Sequence, residues 1–80
     1  MSFNVMDEII YDNKRFIIID EVEVKNNRYF FLSTTEKPIT GEVVEYKIED
    51  NELYINDSIP DDVKREVLLE IANRINIEEN

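Results

Sequence analysis

The sequence contains no cysteine and no histidine, and these two absences remove most common active-site chemistries. Without cysteine there can be no disulfide, no thiolate metal site and no cysteine nucleophile. Without histidine, the usual zinc sites and histidine general bases are excluded as well. Gly41 is the only glycine, which excludes a glycine-rich phosphate loop. The longest apolar runs, Phe16–Ile19 and Tyr29–Leu32, have four residues each and are too short to span a membrane.

The chain of 80 residues is strongly acidic, with 19 acidic and 9 basic side chains and a formal charge of −10. This length predicts one domain over residues 1–80, with an ordered part of about residues 5–77. The apolar content of 42%, with eight Tyr and Phe in regular patterns, favours a folded domain over a disordered acidic tail. Residues 1–7 have neither a basic region nor an apolar stretch, so we expect no signal peptide and a cytoplasmic location.

The first half of the sequence contains a repeat with an offset of 13 residues. Ile9–Ile19 and Val22–Leu32 both read apolar residues, a turn containing Asn, then Arg, an aromatic residue and further apolar residues. Asn accepts the left-handed backbone of two-residue hairpin turns, so the predicted turns are Asp12-Asn13 and Asn26-Asn27. The repeat therefore predicts two successive hairpins that share their middle strand.

The second half predicts another hairpin and then a helix. Apolar and charged residues alternate from Glu42 to Glu49, Asp50-Asn51 follows as a turn, and residues 53–55 form a short strand. The last third changes to a period of 3.6 residues, which is typical of an amphipathic helix. Its apolar positions are Val63, Val67, Leu68, Ile71, Ala72 and Ile75. The expected fold is of the α+β class: an antiparallel β-meander of about five strands, open or curled into a partial barrel, followed by one C-terminal amphipathic helix.

Both faces of the predicted sheet carry large apolar side chains, whereas one helix is predicted to cover them. With residues 26 and 27 as the turn, Val24 faces Tyr29 on one side, and Phe16 lies on that side too. Glu21 then faces Leu32 on the other side. Either the sheet curls over one face and leaves the other as a patch, or the second face meets a partner. A second copy of the chain is the simplest such partner, since small cores benefit from dimerisation.

Carboxylates are the abundant reactive groups, but their pattern does not predict an enzyme. A glycosidase-type acid/base pair needs a pocket that such a small domain has little room to form. A calcium loop starting at Asp50 needs glycine at its sixth position and glutamate at its twelfth, where Ile55 and Asp61 stand. The serines have no histidine to activate them. We therefore predict no catalytic residues, no metal site and no cofactor.

The negative charge allows two interpretations. The charge repels phosphates and the nine basic residues are dispersed along the sequence, which argues against direct binding of nucleic acid. In the first interpretation, the acidic surface serves solubility only. In the second, the carboxylates imitate a phosphate backbone, because alternate side chains on one face of a strand are about 6.6 Å apart. That spacing is of the same order as the spacing of successive phosphates on a DNA strand.

The second interpretation defines a candidate partner-binding surface. Glu21 with Glu23, and Glu45 with Glu49, are the strand pairs that would carry it. Neighbouring apolar residues would supply a contact that is less sensitive to salt. The predicted contact residues are Glu21, Glu23, Phe30, Leu32, Glu45, Glu49, Asp50, Glu52, Asp61 and Asp62, with Tyr54 as a further apolar neighbour.

With this composition and these acidic positions at 21, 23, 45, 49, 50 and 52, the chain resembles the small DNA-mimic inhibitors made by bacteriophages. The resemblance implies a non-enzymatic protein that blocks the DNA-binding surface of a basic host protein. Known targets of such inhibitors include histone-like HU proteins, uracil-DNA glycosylases, RNA polymerase and CRISPR nucleases. The alternative hypothesis is an acidic adaptor or homodimeric module that binds a partner through an apolar sheet face.

Overall fold

The computed structural model describes the backbone of residues 3–79 and the side chains of residues 3–74. Its elements, in chain order, are β1 (Glu8–Tyr11), β2 (Lys14–Val24), β3 (Asn27–Thr34), β4 (Gly41–Glu49), β5 (Glu52–Asn56) and α1 (Asp61–Glu79). Neighbouring strands are antiparallel, and their order in the sheet is their order in the chain. The sheet is curled into a half-barrel. The predicted α+β meander with a C-terminal helix is therefore confirmed.

Three tight turns connect the hairpins, and two of them lie where the sequence predicts them. Asp12-Asn13 has φ angles of 53° and 61°, and Asp50-Asn51 has 52° and 64°. Both residues of each turn are left-handed, as the hairpin turn that matches strand twist requires. The third turn uses Lys25-Asn26, with φ angles of 51° and 69°, so the prediction of residues 26–27 is wrong by one residue. The register changes by two positions, so each side chain keeps its face but changes its cross-strand partner.

A β-bulge in β2 changes which residues share a face. Ile19 has no cross-strand partner, and it follows Ile18, which lies opposite Leu32. An extra residue in one strand reverses the alternation of its side chains beyond that point. Phe16 therefore lies on the same face as Leu32, and the prediction that it shares a face with Val24 is wrong.

The concave side of the half-barrel, called here the inner face, contains the larger part of the core. Its buried residues are Ile9, Phe16, Ile18, Phe30, Leu32, Val44 and Tyr46. Phe3 covers this cluster, with its ring edge on to the ring of Phe30 at 6.4 Å between centroids. The Tyr11 hydroxyl at the end of β1 donates a hydrogen bond of 2.5 Å to Asp57, which follows β5. This contact joins the two edges of the curled sheet.

Helix α1 covers the opposite side of the sheet, called here the helix face. Val67 and Ile71 are buried against a cluster of sheet residues, namely Val22, Tyr29 and Val43. The Arg74 guanidinium donates to the Asp20 carboxylate and to the Glu21 backbone carbonyl, both at 2.9 Å. β1 pairs only with residues 14–17 of β2, so the Glu21 carbonyl has no donor from β1, and Arg74 supplies one.

Fewer helix residues pack against the sheet than the sequence pattern predicts. Val63, Val67 and Ile71 pack against the sheet as expected. Leu68 is 45% exposed and Ala72 is also exposed, so the prediction that these two residues lie on the packed side is wrong. The predicted position Ile75 lies outside the residues whose side chains are described. Within the described helix, no stretch is long and apolar enough to cross a membrane.

The apolar middle of each sheet face is covered, which corrects the expectation of an open apolar patch. Phe30 is 1% exposed and Leu32 is 0% exposed, both in the inner core. The curled edges cover one face while the helix packs on the other. The predicted contact of Phe30 and Leu32 with a partner is therefore wrong for the folded chain, because neither side chain reaches the surface.

Candidate functional site

The β4–β5 hairpin presents the largest group of the predicted contact carboxylates. Along β4 the alternation is as expected, with Val44 and Tyr46 buried on the inner face and Glu45 on the helix face. Glu49 lies directly opposite Glu52, and both are exposed. Asp50 lies in the turn between them and is exposed as well. We call Glu45, Glu49, Asp50 and Glu52 the acidic hairpin.

Two of the four carboxylates of the acidic hairpin accept hydrogen bonds from neutral side chains. The Asn56 amide donates to Glu45 at 3.3 Å, and the Tyr54 hydroxyl donates to Glu52 at 3.2 Å. Three ion pairs occur among the described side chains, and none of them involves this hairpin. Residues directly opposite each other in an antiparallel pair have Cβ atoms about 5 Å apart. The carboxylates of Glu49 and Glu52 therefore repel each other across the hairpin, with Asp50 between them along the chain.

Glu21 and Glu23 belong to a different surface, the rim of the inner face. The Tyr46 hydroxyl donates a hydrogen bond to the Glu21 carboxylate, and the Tyr46 ring stacks on Phe30 at 3.8 Å between centroids. Glu23 lies 3.7 Å from the Arg28 guanidinium. The structure thus separates the predicted carboxylates into two groups on opposite faces, and both members of this second group have partners within the fold.

Burial and polar contacts raise the pKa values of Tyr46 and of its neighbour Arg28. Burial, followed by the hydrogen bond to Glu21, raises the pKa of Tyr46 from 10.0 to about 12. Contact with the Tyr46 hydroxyl, and then the charge of Glu21, raise the pKa of Arg28 above its ordinary value. Tyr46 is therefore neutral and Arg28 cationic at physiological pH, so this cluster acts as a structural network at the rim of the core.

Asp61 and Asp62 lie where the sequence predicts them, in the first turn of α1, and both are exposed. Carboxylates at this end of a helix interact favourably with its dipole, which gives them a structural role independent of any partner. Among the described residues, no three acidic side chains come together in a way that could hold a metal ion. Tyr54, the apolar neighbour expected beside the charges, is 51% exposed on β5.

A basic groove lies at the other end of the sheet, and the sequence interpretation missed it. Lys14 and Arg15 at the start of β2 line this groove together with Lys37 of the β3–β4 loop. The expectation of dispersed basic residues is therefore wrong for these three. The predicted meander was enough to find this groove. In an antiparallel sheet, the Asp12-Asn13 turn and the loop after β3 must lie at the same end, so the basic residues beside them come together.

Comparison with protein-family models, curated proteins and solved structures finds no match for this chain.

Proposed function

We propose that this chain is a non-enzymatic acidic binding protein that occupies the DNA-binding surface of a basic protein, in the cytoplasm of a bacterial cell. The acidic hairpin is the contact surface. The observation that carries the proposal is the set of four carboxylates on one hairpin, without a cation partner among the described side chains. A basic protein surface would exchange its phosphate contacts for these carboxylates.

The spacing along the hairpin supports the imitation of phosphates. Glu45 and Glu49 are four residues apart on one face of β4, which corresponds to about 13 Å at a rise of about 3.3 Å per residue. This is about two phosphate steps, but Lys47 occupies the intermediate position on the same face, so β4 alone does not present a continuous row of negative charge. The continuous part is the end of the hairpin, where Glu52 lies across from Glu49 and Asp50 lies in the turn. The exposed ring of Tyr54 supplies the apolar part of the contact that Phe30 and Leu32, being buried, do not supply.

The turn holds these charges in a fixed arrangement. Asp50 and Asn51 both have the left-handed conformation that closes a two-residue hairpin, and Tyr46 anchors β4 in the inner core. A preformed surface loses little conformational freedom on binding, which favours affinity. The overall charge of −10 would also steer a basic partner toward the protein at low salt.

A homodimeric or adaptor function is the second candidate, but its surface is now on the helix. The apolar sheet faces that this hypothesis used are both covered. Leu68 and Leu69 are 45% and 57% exposed on α1, and they are the apolar helix positions that could receive a partner. Such an interface would be insensitive to salt and to the charge of the hairpin.

The test is displacement of a fluorescent DNA duplex from a panel of purified basic DNA-binding proteins. The hairpin variant carries Glu45→Gln, Glu49→Gln, Asp50→Asn and Glu52→Gln. A matched control variant changes four exposed carboxylates elsewhere: Glu8→Gln, Asp12→Asn, Glu36→Gln and Glu70→Gln. Each variant has a formal charge of −10 + 4 = −6, so the two differ in the position of the lost charges and not in their number.

The wild-type protein and the matched control should displace DNA from at least one member of the panel, while the hairpin variant should fail. Displacement should weaken as the salt concentration rises from about 0.05 to about 0.5 M, because screening shortens the range of the attraction. Equal loss in both variants would show that net charge alone matters. If Leu68→Ser abolishes binding and the hairpin variant does not, the helix surface is the interface instead.

A further inference from the structure

The basic groove is an unusual feature for a chain of this charge. It has a volume of about 550 Å³ and lies between the β1–β2 turn and the β3–β4 loop. Lys14, Arg15 and Lys37 line it, and Glu36 is the one acidic residue among the described residues of its lining. The formal charge of the lining is 3 − 1 = +2, whereas the whole chain carries −10.

The cations of the groove are free of internal partners among the described side chains. The three ion pairs of the described region use Lys25, Arg28 and Arg74 and none of the groove residues. The negative charges of the chain are therefore not used to neutralise this cluster, although they outnumber the positive charges by two to one. Positive charge therefore borders the groove from the β2 side and from the loop side.

The loop that forms one wall is fixed by hydrogen bonds at its base. The Thr34 backbone N–H donates to the Thr40 carbonyl at 3.0 Å, and the Thr40 N–H donates to the Thr34 hydroxyl oxygen at 2.9 Å. The Thr34 hydroxyl in turn donates to the Pro38 carbonyl at 3.2 Å. Thr35 and Thr40 also line the groove and bring two further hydroxyl groups to it. The loop backbone that forms this wall is thus held in place, with hydroxyl groups beside the cations.

We propose that this groove binds a phosphate group, either free or as part of a small phosphate ester. A phosphate monoester carries about −1.5 to −2 charges at neutral pH, which matches the +2 of the lining. The guanidinium of Arg15 offers paired N–H donors that fit two phosphate oxygens, while the lysines act as point charges. The volume lies within the ordinary range of small-molecule sites and leaves room for a group of nucleotide size beyond the phosphate.

An apolar wall continues the groove beyond the cations. Ile10 is 77% exposed and Pro38 lies on the loop side, and both line the same cavity. These side chains could contact the non-phosphate part of an ester, which free phosphate lacks. Inorganic phosphate and adenosine monophosphate are therefore the two probes that distinguish the sources of the phosphate group.

The test is a titration followed by two-dimensional ¹H–¹⁵N NMR at constant ionic strength, with inorganic phosphate, adenosine monophosphate and adenosine as ligands. We expect saturable shifts of the backbone amides of residues 14–15, 34–37 and 39–40 with one or both phosphates, and none with adenosine. Tighter binding of adenosine monophosphate would identify a phosphate ester as the ligand, and equal or tighter binding of inorganic phosphate would identify free phosphate.

Variants that remove either a positive or a negative charge from the groove make this test specific. Lys14→Gln, Arg15→Gln and Lys37→Gln should each weaken binding by about tenfold. Glu36→Gln should strengthen binding several-fold, because it removes the negative charge of the lining. Lys64→Gln removes an equal charge from the helix and should leave binding unchanged.

The proposal is overturned if neither phosphate gives saturable shifts, or if Lys64→Gln weakens binding as much as the groove variants do. The hairpin variant described above should retain phosphate binding, because the acidic turn and the groove lie at opposite ends of the meander. Phosphate binding by the groove and partner binding by the acidic hairpin can therefore be confirmed or refuted independently.

Discussion

Tyr46 should make the stability of this fold depend on alkaline pH. Its side chain is 5% exposed, stacked on Phe30 and hydrogen-bonded to Glu21, and its pKa is raised to about 12. In the unfolded chain a tyrosine ionises near pH 10. Between these values the unfolded state loses the proton first, so the free energy of unfolding decreases as the pH rises. Below pH 10 both states keep the proton, and the hydroxyl contributes its full stability.

The size of the effect follows from the two pKa values. A difference of about two pKa units corresponds to about 2.7 kcal/mol once the whole window has been crossed. At pH 11, halfway through the window, the expected loss is about 1.4 kcal/mol. Tyr11 has a pKa raised to about 12 as well, chiefly by its hydrogen bond to Asp57, so it contributes a parallel slope. A comparison of variants is therefore needed to isolate Tyr46.

The assay is urea unfolding, followed by far-ultraviolet circular dichroism, at pH 9 and pH 11. The stability difference between the wild-type protein and Tyr46→Phe should shrink by about 1.4 kcal/mol between the two pH values, because the variant lacks the ionising group. The control is the same pair of proteins compared at pH 7 and pH 9, because both states keep the Tyr46 proton there and the stability difference should stay constant. If the Tyr46→Phe difference is the same at pH 9 and pH 11, the buried hydrogen-bonded hydroxyl is not the cause.

Three further substitutions test packing and the helix contact by urea unfolding at pH 7. Phe30→Ala should cost about 3–5 kcal/mol, a large part of the roughly 4–12 kcal/mol expected for a domain of this length, and a cost below about 1 kcal/mol would refute its place in the core. Gly41→Ala would put a Cβ 2.8 Å from the ring of Phe31 and should cost about 1–3 kcal/mol. The double variant with Phe31→Leu should show less than the sum of the two single costs, whereas full additivity would contradict the clash. Arg74→Gln should lower the free energy of unfolding by about 1 kcal/mol because its bonds to β2 are lost, and this cost should decrease as the salt concentration rises. An unchanged free energy of unfolding would show that this contact does not stabilise the helix on the sheet.

The succession of elements could be predicted because their local patterns agree with the final fold. The alternation from Glu42 to Glu49 identifies β4 and its two faces, and Val67 and Ile71 follow a helical period that the packing confirms. Asp12-Asn13 marks a turn that Asn stabilises in the left-handed conformation. These features depend on neighbours in sequence, and no knowledge of distant contacts is needed to interpret them.

The β2–β3 turn could not be placed from its asparagines alone. A turn at residues 26–27 would put Lys25 opposite Arg28, and like charges in that position are unfavourable. The observed turn places Glu23 opposite Arg28 instead, and the two form an ion pair. Lys25 adopts a left-handed φ of 51° as a result. The observed turn thus agrees with the cross-strand charge preference, with Lys25 rather than Asn at the first turn position.

The bulge at Ile19 is the main reason why the core could not be assigned from the pattern. Residues 17–19 are all isoleucine, so the sequence has no alternation that shows which of them faces inward. One unpaired residue moves Phe16 and Ile18 to the inner face, where they complete the cluster around Phe30. With this change, the large apolar residues form one buried cluster on each face of the sheet, and the expected apolar patch is not present in the middle of either face.

The arrangement of the carboxylates in the acidic hairpin says more about their role than their number does. Glu49 opposite Glu52 has a cost of about 0.2–1 kcal/mol relative to neutral residues, since like charges directly across a hairpin repel. A small domain has little stability in reserve, and the described surface offers many exposed positions where carboxylates would promote solubility without facing one another. A local arrangement that lowers stability is expected where a function needs it. This cost supports the proposal that the acidic hairpin binds a partner.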